Sequence, residues 1–150
     1  MRKNIIAIMA VAATALAAAQ LSFACTGITL RTAKGNTVTA RTIEWAASDM
    51  NSLYVVVPRG YTSQSMTPDG ATGMRFKTKY GYVGLAVEQS DFVTEGLNEK
   101  GLSAGLFYFP EYGEYEPYSK ENASRSMADL QLVSYILGTC ATVDEVKEAV

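Results

Sequence analysis

Apolar positions follow three different rhythms along the chain. Residues 5–19 form an almost unbroken apolar run. From Thr26 onward, Ile28 and Leu30 alternate with Thr29 and Arg31, the period of a strand with one buried face. Lys34-Gly35-Asn36 reads as a turn and residues 37–43 as the returning strand, so an antiparallel hairpin is predicted. Leu53-Tyr54-Val55-Val56-Val57 is a continuous apolar strand that stops at Pro58 and Gly60. Residues 61–73 are rich in Thr, Ser, Gly and Pro and read as a surface loop. Two further strands are predicted over 74–80 and 82–87, around Gly81. A turn over 96–101 leads to a strand over 102–109 that stops at Pro110, and a tyrosine-rich acidic loop follows over 111–121.

After this the period changes. Met127, Leu130, Val133, Ile136 and Leu137 recur at helical spacing, with Gly138 as a stop. Thr142 with Glu145 three residues later is a capping box that opens a second helix. Val143, Val146, Ala149 and Val150 begin an apolar stripe, and a longer chain is expected to complete it. Strands followed by helices predict an α+β layer fold, with residues 25–150 in one domain.

The opening apolar run has the layout of a secretory signal. Arg2 and Lys3 precede it, Gln20 breaks it, and Ser22-Phe23-Ala24 puts small residues three and one before a cut. Residues 1–24 are therefore expected to be removed before Cys25, with export to the periplasm or beyond. A membrane anchor fits less well, because the run is short of the ~20 residues a spanning helix needs; no stable membrane insertion is expected after processing. A lipoprotein signal, with Cys25 acylated, is the second alternative. Against it, Leu21 sits four residues before the cysteine rather than three, and Phe23 is bulky for its place. Either route makes Cys25 the first residue.

Composition narrows the chemistry. The chain contains no histidine, which excludes a Ser-His-Asp or Cys-His pair and any histidine metal site within it. Two cysteines cannot build a thiolate cage for zinc, and Met66, Met74 and Met127 show no metal-binding pattern. A net charge of −2 gives no footprint for nucleic acid. No cofactor is implied. A cysteine at position one nevertheless carries its own base. An α-amine has a pKa of about 7.7–8.0, close to where a general base works best at neutral pH. It can take the thiol proton as sulfur attacks a carbonyl and later return a proton to a leaving amine. The hairpin brings Arg41 back toward the Cys25 end, where a guanidinium favours thiolate. Glu44 would hold the charged amine. For Arg41, a solvated place in a surface pair stays open as the alternative. Cys140 reads as a buried small hydrophobe; a Cys25–Cys140 disulfide is permitted by export but would abolish the nucleophile.

Cys25-Thr26-Gly27 after the signal, Arg41-Thr42-Ile43-Glu44-Trp45, and Gly96-Leu97-Asn98-Glu99-Lys100-Gly101-Leu102 together resemble the choloylglycine hydrolase family of bile salt hydrolases and penicillin V acylases. The resemblance runs from Cys25 to Val150 and implies the N-terminal portion of a four-layer αββα N-terminal-nucleophile (Ntn) hydrolase sandwich. It implies that Cys25 is the nucleophile and Arg41 the arginine beside the sulfur. Glu44 stands where many members carry aspartate. Tyr108 falls at an oxyanion-hole position, where its backbone N–H would act; a strand aromatic filling the core is the other reading of Tyr108. A later asparagine and arginine of the family pattern would fall beyond Val150, so residues 25–150 alone are expected to be inactive. The implied substrates are small N-acyl amides: conjugated bile salts, penicillin V or related compounds. Loops over 45–52, 61–73 and 111–121 are candidate pocket walls, with Trp45, Tyr54, Tyr61, Tyr112, Tyr115 and Tyr118 as lining residues; ordinary core or loop aromatics are the other reading for several of these. A homo-oligomer is left open. The rival from another class is a lipid-anchored, non-catalytic surface or binding protein.

Overall fold

A computed structural model describes residues 25–45, 49–109 and 112–150; the expected signal segment lies outside the described residues. The chain divides into two compact units, the first ending at Ala46 and the second beginning at Ala47.

Within the first unit, β1 (Gly27–Arg31) pairs antiparallel with β2 (Thr37–Arg41), in a register that sets Gly27 opposite Arg41 and Arg31 opposite Thr37. The hairpin turn is closed by Gly35, at φ +82°, and by two bonds on Thr32: its carbonyl accepts from Gly35 N–H and its hydroxyl from Asn36 N–H. Glycine meets the left-handed backbone without a Cβ penalty. Ile28, Leu30 and Val38 share one face by alternation, but each is about half exposed. The expected buried face is thus corrected: among the described residues of its unit, a two-stranded ribbon has no second layer to cover it.

The second unit is built on an antiparallel sheet of order β3-β6-β7-β8, from β3 (Leu53–Val57), β6 (Tyr82–Ala86), β7 (Val93–Asn98) and β8 (Ser103–Gly105). A second ribbon pairs β4 (Thr62–Met66) with β5 (Thr72–Lys77). Helices α1 (Leu132–Thr139) and α2 (Val143–Ala149) follow. Tyr82, Ala86, Val93, Val133 and Leu137 form the core, with Val55, Val57, Ala104 and Leu106 against it. Gly84 and Gly96 face each other across β6 and β7. A Cβ on Gly96 would stand 2.6 Å from Leu137 Cδ1, so the glycine lets α1 lie close on the sheet. The opposite face carries Tyr54, Val56, Val83 and Leu97, all exposed.

Mixed antiparallel strands followed by helices are the expected α+β order, but several boundaries differ. Residues 61–73 contain β4 rather than only a loop. Its inward residues are Ser63 and Ser65, not hydrophobes, and Ser65 is satisfied by donating to Gln131 Oε1 at 2.6 Å and accepting from Ala128 N–H at 2.9 Å. The turn expected over 96–101 begins only after Asn98, because β7 runs on through Gly96 and Leu97. The strand expected over 102–109 keeps only the three residues of β8. Helix α1 starts at Leu132, after a 3₁₀ segment at Asp129–Gln131. Gly138 does not end α1. It lies within the helix, its carbonyl accepting from the N–H groups of Lys79 and Tyr80, and a Cβ there would stand 2.8 Å from Thr78 Cγ2. The capping box forms, shifted by one residue: Thr142 Oγ1 accepts from Glu145 N–H, and Glu145 accepts from Ala141 N–H.

Candidate active site

The open end of the first hairpin gathers three of the four candidate residues. Pairing extends one step past the strands, where Thr42 N–H donates to Thr26 O at 2.9 Å and Thr26 N–H donates to Thr42 Oγ1 at 3.2 Å. This register sets Cys25 level with Ile43. Side chains alternate across a strand pair, so Cys25 and Arg41 point to the same face while Thr26 and Thr42 point to the other. Arg41 turns along the strand and donates from Nε to Thr42 O at 3.2 Å. The half-buried Cys25 thiol donates to the backbone carbonyl of Glu44, at 3.9 Å from Sγ. Glu44 therefore meets the sulfur through its main chain, and its side chain is exposed.

Tyr108 belongs to the second unit. The chain leaves the sheet after Leu106, whose N–H donates to Thr94 O at 2.7 Å. Tyr108 follows β8 at 50% exposure, between the exposed Phe107 and Phe109. The reading of Tyr108 as a core-filling strand aromatic is therefore corrected, because β8 ends at Gly105.

The candidate wall aromatics belong to both units. Tyr54 lies on the exposed sheet face, and Trp45 belongs to the first unit. Tyr115 and Tyr118 line a cleft of about 1010 Å³ with Met66, Met74, Met127 and Tyr135. Their hydroxyls donate to Asp129 and Asp69, at 3.0 and 3.1 Å. The bond to Asp129 raises the Tyr115 pKa, and the Thr67 hydroxyl, with Tyr118, lowers that of Asp69.

Asn98, from the Gly-Leu-Asn-Glu-Lys-Gly run, is a buried structural hub. Its amide donates to the carbonyls of Leu137 and Cys140, and its oxygen accepts from the N–H groups of Lys100 and Leu102. Next to it, Glu99 takes a forked pair from Arg59 and a bond from Gly81 N–H. The Arg59 bond and the Gly81 amide hold the Glu99 carboxyl down at about 2. Cys140 is buried, and both cysteines are free thiols. Among the described residues, no three His, Cys, Asp or Glu side chains cluster as a metal site, and no helix is long and apolar enough to cross a membrane.

Comparison with known proteins adds the wider context. The family profile for linear amide C–N hydrolases of the choloylglycine hydrolase family matches residues 25–150. The chain is 28% identical over 127 residues to a bile salt hydrolase/transferase of Clostridium perfringens, covering 83% of this chain and 37% of that protein. It is 29% identical over 116 residues to a penicillin V acylase of Pectobacterium atrosepticum, covering 72% of this chain and 29% of that protein. The chain thus spans about a third of the length of the curated relatives it matches. With the match extending from Cys25 to the last helix, this chain belongs to the choloylglycine hydrolase family of linear amide C–N hydrolases.

Proposed function

We propose that the processed protein hydrolyses the amide bond of a small N-acyl amide, with Cys25 as an N-terminal nucleophile. The observation that carries this reading is the register at the hairpin's open end. Arg41 lies on the Cys25 face two residues along the ladder, and the family match begins at Cys25 itself. The freed α-amine, on the same residue as the sulfur, is the base in this reading.

In this reading the segment 1–24 is removed on export to the periplasm or beyond. The α-amine takes the thiol proton as sulfur adds to the amide carbonyl. The tetrahedral oxyanion collapses, the C–N bond breaks, and the amine leaves with a proton from the α-ammonium. Water then attacks the thioester, giving the free acid and regenerating the thiol. Arg41 favours thiolate and Glu44 orients the amine. The backbone N–H of Tyr108 is carried forward as a candidate oxyanion donor; loss of one such donor costs about 100–1,000-fold in rate. Conjugated bile salts and penicillin V are the substrate classes suggested by the names of the relatives. The αββα sandwich is part of the same proposal. It is supported by the second unit's sheet, which has α1 on one face and exposed Tyr54, Val56, Val83 and Leu97 on the other.

The test is Cys25→Ala in the full-length processed protein, assayed against taurine-conjugated bile salt and penicillin V. The reading expects hydrolysis to vanish with the fold unchanged by circular dichroism. Hydrolysis that survives the substitution overturns it.

A further inference from the structure

Thr42 joins the two halves of the proposed catalytic pair. Its N–H donates to Thr26 O at 2.9 Å, and its hydroxyl oxygen accepts from Thr26 N–H at 3.2 Å. Its carbonyl accepts from Arg41 Nε at 3.2 Å. One residue thus holds both polar main-chain groups of Thr26, the neighbour of Cys25, and also fixes the root of the guanidinium. The N–H of Thr26 belongs to the peptide that starts at Cys25.

This placement has a consequence that depends on processing. Once residues 1–24 are gone, Cys25 is a chain end, and strand ends fray unless tied down. In this register Thr26 and Thr42 are a hydrogen-bonded pair, yet Thr26 N–H goes to the Thr42 hydroxyl while the Thr42 carbonyl accepts from Arg41 Nε. The hydroxyl of residue 42 therefore does what a ladder carbonyl would do elsewhere, at the first peptide after the nucleophile. We propose that Thr42 is a positioning residue, whose hydroxyl clamps the Cys25–Thr26 peptide and thereby sets the sulfur against the Arg41 face. This rests on the assignment of Cys25 as nucleophile. Its side chain points to the face opposite Cys25 and Arg41, so it acts through the peptide and not by touching the reacting atoms.

Misplacing a reacting group by about 1 Å costs on the order of 100-fold in rate. Thr42→Val keeps the shape and the β-branch but removes the acceptor; Thr42→Ser keeps the acceptor. Both are made in the full-length processed protein, beside Cys25→Ala. The clamp predicts that Thr42→Val lowers kcat about 10- to 100-fold with KM within about twofold. It also predicts that the rate of Cys25 alkylation by iodoacetamide changes by at least about threefold, while Thr42→Ser restores both to within about twofold of the parent. A merely structural role would lower the melting temperature and leave the per-molecule kcat and alkylation rate of folded protein alone; that result overturns the proposal, as does a Thr42→Ser variant no better than Thr42→Val. If Thr42→Val does not fold, Thr42→Ala takes its place with the same expectations. A Cys25→Ala protein that still hydrolyses amides would overturn the nucleophile assignment, and the clamp with it. An inactive Cys25→Ala beside a fully active Thr42→Val would overturn the clamp alone.

Discussion

Replacing Asn98 by alanine is the sharpest probe of how the second unit holds together. The side chain is 3% exposed and makes four hydrogen bonds that tie the end of α1 to the turn after β7. Truncation strips partners from the carbonyls of Leu137 and Cys140 and from the N–H groups of Lys100 and Leu102. The contacts of Leu137, Cys140 and Leu102 are buried, whereas that of Lys100 is half-buried and open to replacement by water. A buried polar group left unsatisfied costs about 1–3 kcal/mol. Three of them at the low end, allowing for relaxation, give a loss of about 3–5 kcal/mol. That is a large part of the roughly 5–15 kcal/mol that stabilises a typical domain. Urea unfolding of the processed protein measures it as a lowered midpoint at constant slope. Asn98→Asp sharpens the test. Its carboxylate still accepts from Lys100 and Leu102 but faces two carbonyl oxygens, which raises its pKa above the unfolded value. Its penalty is therefore small below the unfolded pKa and grows as pH rises through the folded one. A loss under about 1 kcal/mol for Asn98→Ala, or an Asn98→Asp protein whose stability relative to the parent is independent of pH, would refute the hub.

Three further outcomes follow from the same structure. Glu99 titrates at about 2 against a reference of 4.5, so its contribution is complete above pH 4.5 and is lost as pH falls toward 2; Glu99→Gln should flatten that part of the stability–pH curve measured by thermal unfolding. A Cβ at position 96 would meet Leu137 Cδ1 and Val83 O, both at 2.6 Å; Gly96→Ala should cost about 1–3 kcal/mol in urea unfolding by forcing α1 off the sheet, and a neutral result would mean that α1 is not packed there. Arg41→Ala should slow alkylation of Cys25 in the processed protein; an unchanged rate would leave Arg41 as a surface strand residue.

Much of this was legible where one physical rule dominates. The hairpin from Gly27 to Arg41 follows from alternation and a glycine turn, and Thr142 with Glu145 announced the second helix correctly. Legibility failed where burial is polar. Strand β4 turns serines inward and satisfies Ser65 with hydrogen bonds to Gln131 and Ala128, so no hydrophobic rhythm marks it. Gly138 read as a stop because a glycine near a helix end usually is one. Here it is a site of close approach to Thr78, which only tertiary packing reveals. At the candidate site, period two and a short turn predict that the Arg41 end of the hairpin meets the Cys25 end, which is the observed register. The place of Thr42 was not legible, since a threonine in a strand is ordinary by propensity. Its role comes from a side chain replacing a ladder carbonyl.

Catalysis by the proposed route depends on the chemical state of one residue. Mass spectrometry of the N-terminal peptide from exported full-length protein reads it directly. The prediction is a peptide that begins at Cys25 with a free α-amine and an unmodified thiol. A peptide in which Ala24 is still joined to Cys25, or in which the cysteine carries a diacylglyceryl group, would contradict it.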